Sequence, residues 1–262
     1  MHDATPVSTP ACPSIDFSKA MCPTTAHDKN LMADVPYLEA LGSLLYLAMC
    51  TRPDIAFAVS ELAKFASNPG FVHWTGVKRI MRYLRGTLDY GLSYGTSIHG
   101  LYGSVDSSYA RCLDTRRSRY GGILMLNDGP VDWKSKLQSI VALSSMEAEY
   151  IGACELVKVI TWLRQCMVEL GQDTTSSGPT TLYIDNLSAK MFADEYMIRN
   201  RSRHIDTQYH FIREKITQGL VSLVHQSTKD MAADILTKPL GKKLFERFRH
   251  LMGVRPLLHF TD

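Results

Sequence analysis

Apolar residues first recur with helical spacing at Leu38, Leu41, Leu45 and Met49, which predicts a helix over about 37–49. The Thr51-Arg-Pro-Asp break restarts the chain. Pro53 suits a first helical turn, where its missing N–H does no harm. A second helix is expected over about 54–66, ended by Asn68-Pro-Gly, and a third over about 73–84, ended by Gly86. Val77, Ile80, Met81 and Leu84 make the apolar face of the third, with Lys78, Arg79, Arg82 and Arg85 on its other sides. Such a basic side can track a phosphate backbone or serve only as a solvated helix surface.

The pattern changes after Tyr94-Gly95. Residues 101–106, 121–126 and 131–133 read as strands, with a tight turn at Asn127-Asp-Gly-Pro. A long helix is expected over about 145–170, then a polar loop over 172–179 and a fourth strand over 181–184. A short helix near 187–193, a helix over about 207–217 and a strand over 220–225 follow. A last helix begins near Asp230, is punctuated by Pro239, and continues amphipathic to about Met252. This order predicts an α/β fold preceded by a small helical unit. The expected segments are an extended or disordered arm at 1–36, the helical unit at 37–95, the α/β domain at 98–253 and a tail at 254–262.

Composition narrows the function classes only modestly. The net charge of +3 permits a nucleic-acid partner without demanding one. Cys12, Cys22, Cys50, Cys112, Cys154 and Cys166 form no Cys-x-x-Cys pair and no zinc spacing with histidine, so they read as reduced thiols. No apolar run is long enough to span a bilayer, and the N-terminus lacks the order of a secretory signal. The expected setting is therefore cytoplasmic or nuclear, with no membrane partner.

Four carboxylates stand out. Asp106 closes the strand Leu101-Tyr-Gly-Ser-Val-Asp106, and Asp185 closes Leu182-Tyr-Ile-Asp185. An acid in such a place also caps turns, so either alone is weak. Ser144-Ser-Met-Glu147 fits a capping box, which gives Glu147 a structural task. Glu149 falls in register with Ala153, Leu156, Ile160, Leu163 and Met167, on the helix's apolar stripe. A carboxylate there is costly unless something pairs with it, and a metal ion is one such partner. Asp234 is expected in the first turns of the last helix, where a favourable interaction with the helix N-terminus is the plain alternative. Four such acids can hold two hard cations. Two ions about 3.5–4 Å apart can activate a water and stabilise the leaving oxygen of a phosphodiester.

Several segments resemble a known family. Tyr37-Leu-Glu-Ala-Leu-Gly-Ser-Leu-Leu-Tyr-Leu, Thr51-Arg-Pro-Asp-Ile-Ala-Phe-Ala-Val and Met81-Arg-Tyr-Leu-Arg-Gly-Thr are similar to the end of a copia-type reverse transcriptase, its thumb or connection. Ser104-Val-Asp-Ser-Ser-Tyr-Ala, Arg116-Arg-Ser, Ala142-Leu-Ser-Ser-Met-Glu-Ala-Glu-Tyr150, Tyr183-Ile-Asp-Asn, Arg203-His-Ile-Asp-Thr-Gln-Tyr-His-Phe-Ile-Arg and Asp230-Met-Ala-Ala-Asp-Ile-Leu-Thr-Lys-Pro-Leu resemble the ribonuclease H domain of the same LTR retrotransposon Pol polyproteins. The likeness runs unbroken over about residues 36–253.

The resemblance implies a ribonuclease H-like five-stranded mixed sheet flanked by helices. It also implies an Asp-Glu-Asp-Asp site with two Mg²⁺ ions, Mn²⁺ being possible, and hydrolysis of the RNA strand of RNA–DNA hybrids. Carried onto this chain, the four acids are Asp106, Glu149, Asp185 and Asp234. Ser108 stands where the family commonly has a further acid. His204, Asp206 and His210 belong to a recurring family motif and receive no assigned chemistry. His225 suits an edge-strand histidine or one that assists product release. No paired-aspartate polymerase motif precedes residue 37, so the upstream palm and fingers are expected to be a missing partner. Two other readings compete: a catalytically silent nucleic-acid-binding remnant, and a DNA-cutting transposase or integrase with a three-acid set.

Overall fold

The computed structural model describes residues 3–95, 100–172, 178–186 and 206–257. The expected short helix near 187–193 lies outside them. Helices α1 (Ala26–Asn30), α2 (Tyr37–Cys50), α3 (Ala56–Ala63) and α4 (Phe71–Arg85) come first. Helix α2 buries Tyr37, Leu41, Leu44 and Ala48, while Leu38 and Met49 of the expected stripe are exposed. The helix is apolar on several sides, so periodicity alone does not choose its buried face. The Tyr37 hydroxyl contributes to that choice by donating to the Leu62 carbonyl at 2.9 Å.

Asp54 does not begin an α-helix. It lies in a 3-10 turn, Pro53–Ile55, almost fully buried. Arg52 grips it at 3.0 Å and 2.8 Å, and also donates to the Thr87 carbonyl. Tyr83 from α4 donates its hydroxyl to the same carboxylate. Arg52 and Asp54 therefore form a buried clamp joining α4 to the turn before α3. Removing one member of a buried pair leaves a charge without compensation. Arg52→Ala is expected to cost about 3 kcal/mol in urea unfolding. A loss below about 1 kcal/mol, the scale of exposed pairs, would refute that role.

Helix α4 buries His73, Val77, Ile80 and Tyr83. The Nδ1 of His73 accepts the Gly70 N–H at 2.9 Å, and its ring stacks on Phe65. Burial pulls the His73 pKa down to about 4, so the ring is neutral at pH 7. The basic side of α4 meets the chain's own N-terminal arm. Arg79 donates to the Thr9 hydroxyl, and Arg82 and Arg85 donate to the carbonyls of Thr5 and Ala4.

Among the described residues, seven strands follow the early helices. A small antiparallel ribbon pairs β1 (Tyr90–Leu92) with β7 (Val254–Pro256). The main sheet contains β2 (Tyr102–Ser108), β3 (Arg119–Leu126), β4 (Gly129–Leu137), β5 (Thr180–Ile184) and β6 (Val221–His225). Its order is β4-β3-β2-β5-β6, with β2, β3 and β4 antiparallel and β5 and β6 parallel to β2. This is the expected mixed, ribonuclease H-like sheet. Asn127 and Asp128, at φ 50° and 60°, make the tight β3–β4 turn. Strand β4 runs well beyond the expected 131–133. Its exposed Lys134 and Lys136 broke the apolar run in the sequence, and such lysines suit an edge strand.

Helix α5 (Ser145–Glu169) packs on one face of the sheet, together with α6 (Asp206–Thr217), through Val105, Leu124, Leu156, Ile160, Leu182 and Ile212. The opposite face carries Ile123 and Met125. These share a core with α2–α4, the turn Ala232–Leu236 and α7 (Lys242–Leu251). The Trp133 indole donates to the Ala48 carbonyl at 2.6 Å, stitching the helical unit to β4.

The last expected helix does not begin near Asp230. Two 3-10 turns, Thr228–Asp230 and Ala232–Leu236, occupy that stretch, and α7 starts only at Lys242. Pro239 stands between them. It has no N–H to donate, and its ring disfavours a continuous helix across that position.

Candidate metal centre

Asp106 lies within β2 rather than at its end. The ladder with β3 continues through Ser107↔Tyr120 and Ser108↔Arg119. The parallel pairing of β2 with β5 stops at Val105↔Ile184, so Asp106 and Asp185 emerge side by side where the two parallel strands part. Past that point, the Ser107 N–H donates to Glu149 Oε1 at 2.8 Å. Glu149 Oε2 is buried without a hydrogen-bond partner. One oxygen from each of Asp106, Glu149 and Asp185 lies within 4.8 Å of the others.

Glycines let the supporting elements approach. A Cβ on Gly152 would meet Ser107 Oγ at 2.7 Å, so glycine brings α5 close to β2. Gly121 lies opposite Asp106 on β3. A Cβ there would meet Leu236 Cβ at 2.5 Å and the Ala233 carbonyl oxygen at 3.0 Å, so glycine seats the turn that carries Asp234. Asp234 is buried and borders Asp106, but from a 3-10 turn rather than an α-helix N-terminus. Lys238 links the two, with its Nζ 2.9 Å from Asp234 Oδ1 and 3.8 Å from Asp106 Oδ2.

Each acid has an oxygen held by the chain. Thr237 donates its hydroxyl to Asp106 Oδ2, Thr228 donates to Asp185 Oδ2 at 3.0 Å, and Lys238 contacts Asp234. Thr228, Thr237 and Lys238 went unassigned in sequence reasoning, although the last two lie in the family-like segment that begins at Asp230. Ser107 falls just past the expected strand, inside the family-like segment 104–110, and Gly121 opens the expected strand 121–126; neither position by itself points to a supporting role.

The electrostatics are those of acids crowded out of water. Burial, then the neighbouring Asp106 and Asp185, push the Glu149 pKa well above its usual range. Burial and Asp106 raise Asp185. Burial, then Asp106, lift Asp234 to about 7 despite the opposing Lys238 ammonium. Burial lowers the Lys238 pKa, but Asp106 and Asp234 outweigh it and the net shift is upward. Hard carboxylate oxygens, including a buried one without a donor, fit Mg²⁺ or Mn²⁺.

The other sequence candidates are not among the three clustered carboxylates, though His225 borders Asp185. Glu147 is buried, but its Oε2 accepts the Leu143 N–H at 2.8 Å, one residue before the N-cap, while Ser144 accepts the Glu147 N–H at 3.1 Å. It is a helix-start residue facing away from the cluster of three acids. His225 Nε2 meets the Asp185 backbone carbonyl at 3.1 Å. His210 is exposed on α6, Asp206 begins that helix, Ser108 ends β2, and His204 lies outside the described residues.

The chain is 42% identical over 254 residues to the Retrovirus-related Pol polyprotein from transposon TNT 1-94 of Nicotiana tabacum, covering 97% of this chain and 19% of that protein. It is 36% identical over 257 residues to the corresponding polyprotein from transposon RE2 of Arabidopsis thaliana, covering 97% and 17%. The chain belongs to the copia-type retrotransposon Pol polyproteins. It spans about a fifth of the length of these relatives. It matches no protein-family model. Among solved structures, LC11-RNase H1 in complex with an RNA/DNA hybrid has a TM-score of 0.38 and 15% identity, covering 52% of this chain and 93% of that one. Among the described residues of this copia-type segment, no helix is long and apolar enough to cross a membrane.

Proposed function

We propose that this segment hydrolyses the RNA strand of RNA–DNA hybrids, using divalent ions held by Asp106, Glu149, Asp185 and Asp234. The observation that carries this reading is the cluster of Asp106, Glu149 and Asp185, the first two buried and the third half-buried, with Glu149 Oε2 left without a donor. Burying several carboxylates together is costly unless cations compensate them. Bound divalent ions would supply a polarised water and charge neutralisation at the leaving oxygen.

The chain's own residues prepare the site. The Ser107 N–H and the Thr228 and Thr237 hydroxyls orient carboxylate oxygens, as supporting donors do around metal ligands. The parting of β2 and β5 places Asp106 and Asp185 at the end of their shared ladder. Choice of a hybrid over duplex DNA is expected to come through the 2′-hydroxyls of one strand, which distinguish RNA from DNA.

The test is cleavage of labelled hybrid, duplex DNA and duplex RNA by the purified chain. Cutting of RNA only when it is paired with DNA is expected, with Mg²⁺ or Mn²⁺ and not with Ca²⁺. Undiminished cleavage in excess chelator would end the metal reading. Comparable cutting of duplex DNA would move the assignment to a transposase-like reaction. Hybrid binding without cleavage under every metal condition would favour a catalytically silent remnant.

A further inference from the structure

Lys238 is the one cation placed between two of the acids among the described residues. Its Nζ is 2.9 Å from Asp234 Oδ1 and 3.8 Å from Asp106 Oδ2. The two carboxylates are almost wholly buried, at 3% and 5% side-chain exposure, whereas the lysine side chain keeps 30%. Its backbone is constrained on both sides. The Lys238 N–H donates to the Asp234 carbonyl at 3.2 Å, and the following Pro239 restricts the φ and ψ open to residue 238. Lys238 also lines a small gap with Pro10, Leu240 and Phe245. The root of the side chain is thus fixed, while the ammonium sits on a flexible four-carbon stem that is already partly exposed to water.

We infer that Lys238 is a tethered counter-ion that competes with a divalent ion for the Asp106–Asp234 position and swings toward solvent when that ion binds. This rests on the metal-ion reading given above. An ion ligated by both carboxylates would lie close to the oxygens that the ammonium now contacts, and two cations so close repel. In metal-free protein, Lys238 offsets the repulsion between Asp106 and Asp234. In the metal-bound protein it weakens the ion held at that position. Lys238 is therefore a positioning residue that makes loading of this position depend on ion concentration.

The experiment measures Mn²⁺ binding to the full chain, without nucleic acid, by electron paramagnetic resonance and calorimetry. Wild type, Lys238→Met and Lys238→Arg are compared. Lys238→Met should bind the weaker Mn²⁺ about tenfold more tightly, the scale of one screened unit charge beside a divalent ion. It should also have a lower thermal midpoint without metal. Lys238→Arg keeps the charge and should remain near wild type. Unchanged or weaker Mn²⁺ binding by Lys238→Met overturns the competition while leaving the metal reading intact. Absence of Mn²⁺ binding to wild type overturns both. A wild-type measurement covers a variant that fails to fold. The Lys238 side-chain resonance, assigned by its loss in Lys238→Arg, should shift when Mg²⁺ is added. A resonance that stays in place while those of the acids move would also overturn the inference.

Discussion

Glu149→Gln is expected to lower hybrid cleavage by orders of magnitude while leaving the fold intact. Glutamine keeps the length of the side chain and an oxygen that can accept the Ser107 N–H, which Glu149 Oε1 accepts at 2.8 Å. It removes the charge that the proposed metal site needs, at the oxygen that has no donor of its own. It also relieves repulsion from Asp106 and Asp185, so its thermal midpoint without metal should equal or exceed that of wild type. Glu147→Gln is the matched control. Glu147 uses Oε2 to accept the Leu143 N–H, a task glutamine also performs, so cleavage should be nearly unchanged. Glu147→Ala should lose about 1 kcal/mol of stability, the usual scale of a helix cap. Hybrid cleavage rates beside thermal midpoints decide the matter. Activity lost in Glu147→Gln and kept in Glu149→Gln would mean that the catalytic set had been drawn on the wrong side of α5.

The contrast between these two glutamates was legible because helix periodicity is strong in a long amphipathic segment. Glu149, Ala153, Leu156 and Ile160 are buried on α5 as their spacing predicts, but so is every residue from Glu147 to Cys154, and it is the cap contacts of Glu147 that set the two glutamates apart. The Asn127–Asp128 turn was legible for a different reason, since both residues tolerate positive φ. Periodicity was less informative in α2, where apolar residues on more than one side leave the buried face to tertiary packing. It also failed around Asp234, where propensity suggests a helix but the 3-10 turn sits against Gly121, a partner more than a hundred residues away in sequence. Asp106 read as the end of a strand because the serines after it look like turn residues, yet Ser107 and Ser108 continue the β2–β3 ladder. Lys238 lies in the family-like segment that begins at Asp230, but nothing in that segment assigns it a role. Its role depends on distances to Asp106 and Asp234 that only the folded chain sets.

The acid cluster should make the metal-free chain less stable as pH rises, in contrast to the usual behaviour of paired carboxylates. Asp234 is lifted from its ordinary 3.8 to about 7, chiefly by burial and then by Asp106. Glu149 and Asp185 are raised in the same direction. Between the unfolded and folded pKa of such a group, the folded state holds more protons than the unfolded state, and stability falls with increasing pH. The contribution of Asp234 is therefore fully present below about pH 4 and is lost as pH rises through about 7. Its ceiling is about 4 kcal/mol, because each tenfold change in proton affinity is worth about 1.4 kcal/mol. His73 works against this trend. Its pKa is depressed from 6.5 to about 4, so it adds stability as pH rises across that interval. Comparison with Asp234→Asn isolates the acid, because His73 is common to both proteins. Asparagine mimics the protonated carboxyl, so the metal-free variant should match wild type near pH 4 and exceed it increasingly toward pH 8. Saturating Mg²⁺ should then stabilise wild type more than the variant at pH 8, because binding to the folded state adds stability by mass action. Thermal or urea unfolding across pH, with chelator and with Mg²⁺, measures both effects. A wild-type-to-variant difference that stays flat from pH 4 to 8 in chelator would show that Asp234 is not held in the crowded, proton-retaining environment that a cation is proposed to relieve.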